Sequence, residues 1–74
     1  MKNRLLEIRL QHKVKRVFLA NVLGTNVSTI YRWEVQQQRI PYEMLLETAR
    51  FFEIAAIDIV PALAEVQLEE VSHA

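Results

Sequence analysis

The chain has no cysteine, one glycine and two prolines in 74 residues. Without cysteine neither a disulfide framework nor a thiolate metal site can hold the fold, and a reducing compartment suits the protein. So little glycine and proline argues against a turn-rich β protein, and with 51% of residues apolar the composition is not that of a disordered chain. Long uncharged runs are missing too: none approaches the roughly 18 residues of a membrane span. The opening MKNRLLEIRL lacks the apolar core and small-residue cleavage site of a signal peptide. A cytoplasmic protein with no membrane partner is expected.

Reactive constellations are equally scarce. His12 and His73 are far apart in the chain and have no ligand-spaced partners, so neither a metal nor a cofactor is expected. There is no glycine-rich phosphate loop, no cysteine nucleophile, and no serine with a histidine and an acid in plausible order. An enzyme is not expected.

Net charge is zero, but its distribution is not even. Residues 1–39 hold Lys2, Arg4, Arg9, Lys13, Lys15, Arg16, Arg32 and Arg39 against Glu7 and Glu34 alone. Residues 40–74 hold Arg50 against Glu43, Glu47, Glu53, Asp58, Glu65, Glu69 and Glu70. A molecule so divided can turn its basic half to a polyanion while the acidic half faces away. Two solvated faces with no partner would have the same composition.

Apolar periodicity predicts an all-α, compact bundle of about five short helices, with no strand. In the first, Leu5 and Ile8 form one stripe while Leu6 and Leu10 add a second, and the helix should end near Lys13. In RVFLANVL either Phe18 or Leu19, with Val22 and Leu23, has helical spacing, and Gly24 follows as a left-handed stop. Asn26 is a good N-cap for a helix from Val27 that buries Ile30 and Trp33. Pro41 starts a fourth helix with Leu45, Thr48, Ala49 and Phe52 inward. The stretch after it is helical in part, with Asp58 a candidate cap and Pro61 tolerated only in a first turn. A domain over residues 1–60 and a partly helical tail over 61–74 are expected.

The spacing LAxxLG then TNxSTIxRWE is that of a helix-turn-helix. Leu19, Leu23, Ile30 and Trp33 fill the wedge between the two helices, Ala20 is small where the backbones approach, and Gly24 turns the chain. Between those anchors Val27, Ser28, Tyr31 and Arg32 fall on the outward face of the second helix, which has the dimensions to enter a DNA major groove.

On these residues the chain resembles the Cro and lambdoid-repressor class of helix-turn-helix domains, the xenobiotic-response-element family. The segments that carry the resemblance are NRLLEIRL, FLANVLG, STIYRWE and IPYEMLLETARFFEI, and together they span Asn3 to about Val60. The resemblance implies a lambda-repressor-like fold and a sequence-specific regulator of double-stranded DNA. More narrowly, it implies a dimeric repressor of bacterial or phage origin on a near-palindromic operator. Val27, Ser28, Tyr31 and Arg32 align with base-reading positions, Arg32 seeking guanine and Val27 a thymine methyl. Tyr31 is equally placed to stack along a phosphate. Lys15, Arg16, Thr25, Asn26, Gln36, Gln37, Gln38 and Arg39 align with phosphate contacts. Arg9 and Glu34 align with an ion pair that ties the first helix to the end of the recognition helix.

Two departures stand out. Lys13 occupies a position where glycine often ends the first helix. Leu6, Leu10, Val17, Phe18 and Val22 replace residues that are usually polar, which predicts an exposed apolar patch. Either the tail, with Leu63, Val66, Leu68 and Val71 at helical spacing, or a second subunit covers it, or another protein docks there. The second reading of function is therefore a protein-interaction module, antitoxin-like or antirepressor-like, that uses Leu6, Leu10, Phe18 and Val22.

Overall fold

A computed structural model describes residues 2–64. The described residues are all-helical: α1 (Leu5–Gln11), α2 (Arg16–Leu23), α3 (Val27–Glu34), α4 (Tyr42–Phe52) and α5 (Ala56–Ile59). Residues 65–74, and with them the expectations for Val66, Leu68, Val71 and His73, lie outside the described range.

The helix starts and stops follow local chemistry. The Asn3 side chain accepts the Leu5 N–H at 3.0 Å and so opens α1. The helix ends at Gln11, two residues short of Lys13, because Lys13 itself adopts φ 56° and turns the chain back. A lysine in that region bears the strain a glycine would avoid, of order 1–2 kcal/mol. The return is held by the Val14 N–H to the Arg9 carbonyl, 3.1 Å. Gly24, at φ 68°, ends α2 as its glycine foretells, and the Thr25 N–H closes the turn on the Ala20 carbonyl at 2.9 Å. Asn26 caps α3 through its side-chain oxygen, which accepts the Thr29 N–H at 2.9 Å.

Pro41 stands one residue before α4 as its N-cap rather than within it. At α5 the expected cap works from inside: Ala55 flanks the helix and has no side-chain acceptor, while Asp58, in the first turn, reaches back to the Ala55 N–H at 3.0 Å. Pro61 begins a separate turn, closed by the Ala64 N–H on its carbonyl at 3.1 Å.

One core joins the helices. Leu5 and Ile8 of α1, Leu19, Ala20 and Leu23 of α2, Ile30 and Trp33 of α3, Leu45, Ala49 and Phe52 of α4, and Ile59 of α5 are all buried, with Ile40 and Val60 from the connections. Leu19 rather than Phe18 is the inward residue of α2; Phe18 is 55% exposed. Val22, Val17 and Leu10 are also exposed, and Leu6 is half-buried. Thr48 is fully buried without penalty because its hydroxyl donates to the Met44 carbonyl at 2.6 Å. Against this core α3 packs mainly on α2, and α1 touches it as well, with Arg9 of α1 reaching Glu34 at its C-terminal end. The Arg4 N–H to the Ile59 carbonyl, 2.7 Å, ties the start of α1 to α5.

Candidate nucleic-acid interface

The 3.6-residue period sorts the eight residues of α3. Ile30 at 0% and Trp33 at 2% exposure are sealed beneath it, while Val27, Ser28, Tyr31 and Arg32 all face solvent. Eight residues make a rod about 12 Å long, matched to the width of a major groove. The four side chains differ in kind: a small aliphatic, a hydroxyl, an aromatic phenol and a guanidinium. Arg32 leans back along the helix, its Nη2 donating to the Thr29 hydroxyl at 3.2 Å, and that hydroxyl in turn donates to the Asn26 side-chain oxygen at 3.1 Å. Thr29, which the pattern does not single out, therefore steers Arg32 from one turn away.

Of the residues expected to hold phosphates, Lys15, Asn26, Gln36, Gln37, Gln38 and Arg39 are exposed, Lys15 directly ahead of α2 and the last four in the loop after α3. Thr25 and Asn26 are largely committed to the fold. The Thr25 amide is bound to Ala20, and the Asn26 side chain is the α3 cap. The start of α3 offers the Val27 and Ser28 amides instead, which donate to no carbonyl among the described residues. Gln37 is committed as well. Its carbonyl oxygen accepts the Asn3 N–H at 2.7 Å and its amide donates to the Glu34 carbonyl at 2.8 Å, while its backbone sits at φ 54°. The side chain is thus a clip between the N-terminus and α3, at an exposed position.

Arg16 has a structural contact of its own: it donates Nε to Glu34 Oε1 at 2.9 Å, while its side chain keeps 29% exposure. Arg9 grips the same carboxylate in two places, Nε to Oε2 at 2.6 Å and Nη2 to Oε1 at 3.1 Å. Glu34 is fully buried, so this is one anion held by two cations with three charge-assisted N–H donors. Arg9 also donates Nη1 to the Val14 carbonyl at 2.8 Å, which joins α1, the α1–α2 turn, α2 and α3 at one point. Forward of Glu34, the Arg16 guanidinium carbon lies 5.3 Å from the centre of the Tyr31 ring.

Asn3 is the residue that pattern reading passes over. Besides opening α1, it donates Nδ2 to the Trp33 carbonyl at 2.9 Å and its own N–H to Gln37. The only local signal is an asparagine two residues ahead of an apolar helix start, which marks a turn but not a partner thirty residues away.

Elsewhere the apolar surface is partly joined: the Phe18 and Phe51 rings stand 6.1 Å apart, and Val17 and Phe18 line an open groove with Val14 and Asn21, rimmed by Lys13 and Lys15. Among the described residues no three His, Asp or Glu side chains converge as a metal site would require, and no helix is long and apolar enough to cross a membrane. Compared with known proteins, the chain matches no family model, no curated protein and no solved structure.

Proposed function

We propose that the protein is a sequence-specific regulator of double-stranded DNA, of the helix-turn-helix kind its sequence resembles. In this reading it is a cytoplasmic, dimeric repressor that lays α3 in the major groove. The observation that carries the reading is the sorting of α3: its apolar residues are locked into the core, and four chemically distinct side chains are left on the outside, where Arg32 touches Thr29 and Tyr31 lies beside the Arg16 guanidinium. Arg32 offers a bidentate donor pair for guanine, Val27 an apolar contact for a thymine methyl, and Ser28 a hydroxyl for either partner. Lys15 and Arg39 supply backbone contacts on either side, joined by Gln36 and Gln38 and by the Val27 and Ser28 amides at the helix start. One short helix makes few base contacts, so two copies on half-sites about 34 Å apart supply the specificity. The C-terminal residues 61–74 are the proposed dimer element.

Selection of bound sites from random duplexes, followed by titration at several salt concentrations, tests this. A symmetric motif should emerge, and the logarithm of affinity should fall with the logarithm of salt by about 0.9 for each phosphate neutralised. Lys15→Ala should weaken all sequences alike, and Arg32→Ala should relax the preference at one base position. Salt-independent affinity, or no enriched motif, sinks the reading. Sedimentation of a chain ending at residue 60 tests the dimer: an unchanged dimer clears the tail of that role.

The exposed Leu10, Val17, Phe18 and Val22 favour a second reading, a protein-interaction module built on the same helices. Phe18→Glu, at an exposed site, should then abolish a protein complex while DNA affinity and melting temperature stay unchanged.

A further inference from the structure

We propose that Arg16 is a positioning residue for Tyr31, and that the two act as one specificity-determining unit on the face of α3. The inference rests on the DNA-binding reading and changes the part Arg16 plays in it, from a free phosphate clamp to a bracket. Arg16 is fixed from behind. Its Nε is bound at 2.9 Å to a carboxylate that is itself fully buried and gripped bidentately by Arg9, so the guanidinium cannot swing without breaking a charge-assisted bond. In front, the same guanidinium lies 5.3 Å from the centre of the Tyr31 ring, within cation–π range. Tyr31 is 42% exposed and its hydroxyl has no hydrogen-bond partner among the described residues, so the guanidinium is the polar contact that orients its ring.

The chain of constraint therefore runs from the core to the groove-facing surface: Arg9 holds Glu34, Glu34 holds Arg16, and Arg16 holds the ring. An exposed cation–π contact favours one ring orientation by about two- to five-fold, enough to change which base step the ring presses against. Lysine can keep the charge and the contact with Glu34, but its single terminal ammonium has no second nitrogen to hold Glu34 and face the Tyr31 ring at once, as Nε and the rest of the guanidinium do. Arg16→Lys is thus the informative substitution, because it separates charge from orientation.

The experiment compares the wild type, Arg16→Lys, Tyr31→Leu and the double variant by site selection and by affinity for the wild-type motif. Arg16→Lys and Tyr31→Leu should lose preference at the same base-pair position, and the double variant should lose no more than about the larger single effect. Tyr31→Phe, which keeps the ring, should retain the preference. If Arg16→Lys keeps full preference there, or the two losses multiply in the double variant, Arg16 does not position Tyr31 and the proposal is overturned while the DNA reading stands. If the wild type itself enriches no motif, both fall together. A measurement on the free protein does not depend on Arg16→Lys folding well: the Arg16 δ-protons should carry an upfield ring-current shift in NMR spectra that Tyr31→Leu removes. No such shift overturns the proposal.

Discussion

Replacing Arg9 with methionine should remove a large share of the protein's stability, and the structure shows why the loss is large for a conservative change of volume. Glu34 has 0% side-chain exposure and accepts three N–H groups, two of them from Arg9. Without Arg9 the carboxylate keeps a single donor, from Arg16, and the Val14 carbonyl loses its side-chain partner. Breaking a buried pair from one side costs about 3–5 kcal/mol; since Arg16 still offers one charge, the low end, about 3 kcal/mol, is expected. At the usual 0.05–0.15 kcal/mol per residue, a chain this short has only about 4–11 kcal/mol in hand.

Urea unfolding followed by Trp33 emission is the assay, because Trp33 is the only tryptophan and is 2% exposed in the folded state. With a slope near 1 kcal/mol/M for a small domain, the midpoint should fall by about 3 M. The double variant Arg9→Met with Glu34→Leu should recover much of the loss, since no buried charge remains and Arg16 has enough exposure to be hydrated. A drop below about 1 kcal/mol for Arg9→Met alone would refute the reasoning, as would a double variant less stable than either single one. Either result would mean that the carboxylate finds water in the folded protein.

Asn26→Ala removes the α3 cap and should cost about 1 kcal/mol, a fall of about 4–8 °C in melting temperature by calorimetry. Lys13→Gly relieves a left-handed backbone, and after glycine's greater loss of chain entropy a gain of up to about 1 kcal/mol is expected; a loss in the same calorimetric scan would show that the lysine side chain supports the turn. The Glu7 carboxyl is held below the usual carboxylate range by its 2.9 Å hydrogen bond from Arg4 and then by the charge of that arginine. Its contribution to stability is therefore present above the ordinary glutamate value and fades as pH falls through the lowered one. NMR titration should find Glu7 the lower-titrating group in the wild type and back at an ordinary value in Arg4→Gln; no change between the two would remove the pair as the cause.

Much of the helical frame is legible along the chain because its signals are local. Gly24 has the backbone freedom to turn left-handed, Asn26 has an oxygen that reaches three residues ahead, and Pro41 cannot sit inside the helix it precedes. The burial of Ile30, Trp33, Leu45, Thr48, Ala49 and Phe52 follows from a 3.6-residue period applied to those frames. The candidate interface is less legible. Exposure of Val27, Ser28, Tyr31 and Arg32 follows from the same period, but nothing along the chain says that Arg16 Nε binds Glu34, that the Thr25 N–H binds Ala20, or that Gln37 links Asn3 to Glu34. Along the sequence a hydrogen-bond donor is only an offer, and whether a protein group takes it depends on residues up to 34 positions away.

What the amino-acid order determined alone is therefore the set of helices, the stop at Gly24, the cap at Asn26 and most of the buried stripes, since each depends on interactions within four or five residues. It also determined the opposite charges of the two halves. Tertiary structure alone decided that Arg9 and Arg16 share one carboxylate, that Asn3 and Gln37 fasten the N-terminus to α3, and that Phe18 meets Phe51 at the surface while Leu19 takes the core. These outcomes turn on how helices are placed against one another. Packing sets that placement across the whole chain, and a helical period says which face of a helix is buried but not which partner it meets there.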